Sequence, residues 1–214
     1  MPAVLAVLII AVALAVAVAF WRSNRRLVEL ERERAIRSYV FPAGVLEAFR
    51  NGHPDMDLKG RQLVARALRQ FFLVHSRAKS RRVTMPSRAA DALWHAFILD
   101  TKAYSAFCQQ AFGAYLHHIP EPVNASSEDR ESAAWATWRL ACLEENINPA
   151  KASRLPLLYA IDSKLGYPGA TAYDPMSFRQ PSAADGCSGG TVGWSSSGDG
   201  DGGGDGGGCG GGGD

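Results

Sequence analysis

The residue pattern predicts an all-α protein in three parts: an N-terminal transmembrane helix, a compact helical domain and a disordered, glycine-rich C-terminal tail. Residues 2–21, PAVLAVLIIAVALAVAVAFW, hold no charged side chain. In the body, apolar residues recur at three and four, the helical period, and no useful stretch alternates with the period of two that a half-buried strand requires. From 186 to 214 the chain is mostly Gly, Ser and Asp, with little to bury. Setting those ends aside leaves about 165 of the 214 residues, enough for a real core. The expected division is 1–21 transmembrane helix, 22–40 juxtamembrane basic helix, 41–170 helical domain and 171–214 tail.

The first element is the uncharged run. At about 1.5 Å per residue it covers about 30 Å, the hydrocarbon thickness of a bilayer. Arg22, Arg25 and Arg26 follow at once, and nothing before the run carries a side-chain charge. The positive-inside rule then predicts a single-pass protein of the inner membrane, N-terminus out and body cytoplasmic, with these arginines against anionic lipid headgroups. The rival is a cleavable signal ending at Ala17-Val18-Ala19, which would leave the body secreted or periplasmic. The missing basic leader and the length of the run favour the anchor.

Leu27 to Tyr39 is rich in Glu and Arg at helical spacing and reads as a solvated continuation of that helix. Phe41-Pro42 breaks it, since the residue before a proline is pushed out of the α region. A short helix over Pro42 to Arg50 ends at Asn51-Gly52. From Leu58, the positions Leu63, Val64, Ala67, Leu68, Phe71 and Phe72 form the core stripe of an amphipathic helix reaching about His75, a residue placed to act as a charge partner of the helix terminus. Ser87 caps the next helix, RAADALWHAFILD, and a further helix from Lys102 to about Phe112 stops at Gly113. Ser126-x-x-Asp129 opens another that runs through Glu145, with Trp135, Trp138 and Cys142 on one face. Pro156 to Leu165, followed by Gly166, is the last.

Charge is unevenly spread. From Arg22 to Arg88 there are 16 basic against 6 acidic residues, and from Asp91 onward 7 against 15. Nucleic acid is a poor partner for the basic half, because its run Arg77, Lys79, Arg81, Arg82 is short and lacks interleaved aromatics. Cys108, Cys142, Cys187 and Cys209 show no C-x-x-C pair, which argues against a disulfide framework and for reduced thiols.

The densest chemistry lies between Asp91 and His118. Asp91, Trp94, His95 and Ile98 share one helix face, and Tyr104, Phe107, Cys108, Ala111 and Phe112 share a face of the next. A short turn packs the two helices antiparallel, which brings His95 towards the second helix and returns His117 and His118 past its end. Cys108 as thiolate with His95, His117 or His118 could hold a Zn-type ion, with Asp91 orienting the His95 ring. Spacing alone supports this weakly: there is no H-x-x-x-H and no C-x-x-C. The competing reading makes His95 a hydrogen-bonded core histidine and Cys108 a small buried hydrophobe. A Cys108/His95 nucleophile is disfavoured, since an apolar face raises the thiol pKa.

The segment MPSRAADALWHAFILDTKAYSAFCQQAFGAYLHHIP, with the later LPLLYAIDSKLGY, resembles the signature of the glycine-rich domain-containing protein-like family of plants and bacteria. The resemblance covers about 130 residues, 40–170, and implies a helical domain with a Gly-rich tail but no activity. The positions it carries over are Asp91, Trp94, His95, Asp100, Thr101, Tyr104, Phe107, Cys108, Gly113 and His118. Members of that family carry a second histidine where this chain has Phe97, which weakens a metal site built on this helix.

The tail, SSSGDGDGGGDGGGCGGGGD from Ser195, would be a flexible acidic coil with an exposed Cys209. It lacks the nonapeptide period of calcium-binding repeats. The sequence thus points first to an uncharacterised membrane-anchored helical module that binds a protein partner, with no catalytic residue and no cofactor. The alternative is a Zn-binding protein or metal-dependent enzyme using His95, Cys108 and His117 or His118.

Overall fold

A computed structural model of the chain describes residues 2–79, 81–119 and 126–178, with side chains from 9 onward and at Val4. The chain divides at 180 into two units, and all described residues belong to the first. Seven α-helices follow in order: α1 (Pro2–Ser38), α2 (Ala43–Gly52), α3 (Leu58–Ala78), α4 (Arg88–Leu99), α5 (Thr101–Ala111), α6 (Ser127–Glu144) and α7 (Leu157–Leu165), then a 3₁₀ turn at Pro175–Phe178. Among the described residues there is no strand, so the all-α expectation holds.

α3 is the axis of the bundle. It packs on α1, α4, α6 and α7 and buries Val64, Ala67, Leu68, Phe71, Phe72, Leu73 and Val74. This is wider than an amphipathic stripe, because neighbours cover it on several sides. The aromatic centre sits between α3, α4 and α5, where Phe97, Tyr104 and Phe107 are all but fully buried and Phe72 lies 4.9 Å from Phe107. Phe97, the position expected to hold histidine in the resembled family, packs edge-on against Phe41 and Tyr104. A polar ring there would lose that packing.

Among the described residues no helix is both long and apolar enough to cross a membrane. The transmembrane helix expected at 1–21 is therefore corrected. The single-pass topology, the bilayer partner, the headgroup role of Arg22, Arg25 and Arg26 and the inner-membrane placement are corrected with it. The helix that carries the uncharged run continues without a break through Arg22, Arg25 and Arg26 to Ser38. Arg25 lies over the Trp21 ring, 3.8 Å from its centroid.

Two further corrections concern charge and the tail. Glu33 and Arg37 are not merely a solvated face. Arg77 donates from Nε and Nη2 to the two oxygens of Glu33, both at 2.9 Å, and from Nη1 to Glu144, while Arg37 forks onto Glu144. The network joins α1, α3 and α6, and the Arg77 hydrogen bond holds the Glu33 carboxyl below its ordinary range. Residues 171–178, expected in the tail, pack on the body: Phe178 is buried and stacks on Trp138 at 4.1 Å. The disorder expected for 179–214, and Cys187 and Cys209 with it, lie outside the described residues.

Helix ends are closed by residues near and far. Ser87, Asp100 and Ser126 accept hydrogen bonds from backbone N–H groups three residues on, the local caps of α4, α5 and α6. Asp162, buried on α7, adds a distant one. Its carboxylate accepts from Ser87 Oγ (2.6 Å), Arg88 N (2.6 Å) and Ala89 N (3.2 Å), at the positive end of the α4 dipole. The start of α7 is closed in turn by Glu145, accepting from Leu157 N, and by Gln70 of α3, accepting from Leu158 N at 2.8 Å.

Replacing Asp162 by Ala strands a buried hydroxyl and two N–H groups. We expect a loss of about 3 kcal/mol in urea unfolding, against about 0.5 kcal/mol or less for Asp55→Ala, exposed between α2 and α3. His75 corrects another expectation: it is no charged helix-end partner but packs edge-on against Phe112 at 5.4 Å, and burial lowers its pKa. With its folded pKa below the unfolded one, its contribution is complete above about pH 6.5 and is lost as pH falls through the folded value. Stability of the wild type should decline on acidification from pH 6.5, and His75→Leu should flatten that slope over the first pH unit.

Candidate metal centre

α4 sets two of the three groups. Asp91 and His95 stand one turn apart on the face that leaves the core, while Ala90, Leu93, Trp94 and Phe97 turn inward. Asp91 Oδ2 lies 3.4 Å from His95 Nδ1. The third group arrives from the segment after α5. Gly113 takes φ +74°, a left-handed conformation that ends the helix, and the Arg32 guanidinium occupies the space where its Cβ would sit. The chain then doubles back, and His118 Nε2–H donates to Asp91 Oδ1 at 2.9 Å.

What holds that returning segment is buried. Tyr104 donates its hydroxyl to the Leu116 carbonyl at 2.6 Å and accepts from Trp94 Nε1 at 3.1 Å. Trp94, wedged between Phe71 and Phe72, forms the floor on which the His118 ring rests, 4.3 Å between centroids. The His95 and His118 rings face each other at 4.5 Å. One donor atom from each of Asp91, His95 and His118 falls within 4.8 Å of the others.

The site opens to solvent on the His95 side. The His95 side chain is 57% exposed, against 31% for Asp91 and 21% for His118, so an ion held here would keep positions for water or a small ligand. Ligands sharing an ion at bonds of about 2.1 Å lie about 3.0–3.5 Å apart, so the Asp91 to histidine separations already have the right scale.

The other sequence candidates go elsewhere. Cys108 is fully buried, and burial pushes its thiol pKa up, against the opposing pull of the Leu116 backbone and Tyr104. It is a core residue rather than a thiolate ligand. Cys142 is buried too, its thiol pushed up to about 12 by burial. His117 is exposed and stacks on Tyr115 at 4.8 Å, away from the cluster. Asp100 caps α5 through Ala103 N. Asp91, expected only to orient His95, stands between both histidines, with one carboxylate oxygen near each. The i, i+4 spacing of Asp91 and His95 was the visible signal. Their pairing with His118 depended on the Gly113 reversal and the Tyr104 hydrogen bond.

A family model described as UCP032817-like matches residues 31–190. This corrects the resemblance to the glycine-rich domain-containing protein-like family: the matching model is a different one, and the residues it matches include 91–118. No curated protein and no solved structure gives a significant match.

The Tyr104 hydroxyl should be a stability hinge of the site. Tyr104→Phe leaves the Leu116 carbonyl and the Trp94 indole N–H without a partner in the core, and should cost about 2 kcal/mol in denaturant unfolding. The matched control Tyr115→Phe, on an exposed ring beside it, should cost almost nothing.

Proposed function

The chain belongs to the UCP032817-like family, a name that carries no activity, and on the geometry we propose that its helical body binds a divalent first-row metal ion through Asp91, His95 and His118. The observation that carries this is the convergence of two imidazole nitrogens and one carboxylate oxygen within 4.8 Å at a solvent-facing position. Two histidines and one carboxylate with open positions are the donor set of non-haem Fe(II) sites and of three-ligand Zn sites. An ion here would supply Lewis acidity. The chain supplies a buried floor under His118, a helix that fixes Asp91 and His95, and an open side at His95. This reading takes up the metal-binding alternative drawn from the sequence in a changed form: Asp91 replaces Cys108, and His118 rather than His117 completes the set. It sets aside the protein-interaction module, for which no particular surface is implicated.

Full-length protein titrated with Zn²⁺ or Co²⁺ should bind one equivalent. His118→Ala and Asp91→Asn should each weaken binding by about 100-fold or more, and acidification should weaken it as protons compete for the imidazoles. Cys108→Ser should leave affinity unchanged, and the Co²⁺ form should show no thiolate charge-transfer band. Protein that binds no metal above the level of His118→Ala would reduce the cluster to a pin that holds the segment after α5.

A further inference from the structure

A second concave site lies where α1, α3, the end of α6 and α7 meet, a cleft of about 600 Å³, within the size range of small-molecule sites. Its wall carries Arg37, Arg66, Arg69, Arg154 and Lys164 against Glu144 and Glu145, five cations to two carboxylates. The two carboxylates are already engaged. Glu144 is bound by Arg37 and Arg77, and Glu145 by Arg154, Gln70 and the Leu157 N–H. That leaves Arg66, Arg69 and Lys164 without a carboxylate among the described residues.

Arg69 is the most telling of the three. It is half-buried, and one of its N–H groups is spent on the Tyr39 carbonyl at 3.1 Å. Burial and the neighbouring Arg66 both disfavour its charged form, and an anion between them would relieve that repulsion. Leu63, Leu73, Leu155 and Leu157 line the same wall, so the cleft is apolar as well as cationic. The fork of a guanidinium matches phosphate oxygens, and a lysine ammonium adds a point charge.

We propose that this cleft binds a small soluble phosphate ester with an apolar body, its phosphate held by Arg66, Arg69 and Lys164 and its body against the leucines. The site is separate in its residues from the metal centre and does not rest on it.

Phenyl phosphate is a suitable probe, titrated calorimetrically into the full chain at low salt. One saturable site is expected, tighter for phenyl phosphate than for inorganic phosphate or benzoate. Arg66→Gln and Lys164→Gln, both at positions whose change spares the core, should each weaken it about tenfold. Arg26→Gln, on the exposed part of α1, should change nothing. In a His118→Ala background, which removes the metal candidate, the affinity should be unchanged, so failure of one site is told apart from failure of the other. Absence of saturable binding at millimolar phenyl phosphate overturns the proposal, as does benzoate binding as tightly, an Arg26→Gln effect equal to that of Arg66→Gln, or loss of binding with His118→Ala.

Discussion

The carboxylate of Asp162 closing the first turn of α4 is the contact on which the most other features depend. It is buried, it accepts three hydrogen bonds, and it lies at the positive end of a helix whose next residues are Asp91 and His95 of the candidate metal centre and Trp94 beneath them. A negative group there has a double reason to stay: the dipole attracts it, and its departure would leave donors unpaired away from water. α4 is thereby fixed in register against α7 before any of its apolar residues is considered.

That contact is one link of a relay. α7 supplies the cap of α4, while the start of α7 is closed by Gln70 of α3 and Glu145 at the end of α6. Pro156 has no side chain able to do this itself. Glu144, the neighbour of Glu145, gathers Arg37 and Arg77 and so ties α1 to the same corner. The starts of α4 and α7 are thus satisfied in part by residues of other helices and their ends. Side-chain caps at this corner therefore couple the positions of α1, α3, α4, α6 and α7 more tightly than non-directional apolar packing would.

The two candidate sites use this frame differently. At Asp91, His95 and His118 the donors stand above a core of aromatic rings, and rigidity comes from Tyr104 and Trp94 beneath them. In the arginine-lined cleft Arg37, Glu144, Glu145 and Arg154 are ion-paired, while Arg66, Arg69 and Lys164 line the same wall without a carboxylate among the described residues.

The sequence by itself determined the helical class, most helix boundaries to within a residue or two, and the local caps at Ser87 and Ser126, because these depend on the helical period and on side chains reaching backbone three residues away. It also marked Asp91 and His95 as neighbours, a consequence of one turn of helix. It failed where contacts span the chain. The tertiary structure decided that Asp91 and His118 meet, that Cys108 and His75 face the core, that Phe178 belongs to the body and that Asp162 caps α4. Hydrogen bonds and burial between residues dozens of positions apart leave no periodic trace in a sequence; they exist only once the helices that carry them have packed.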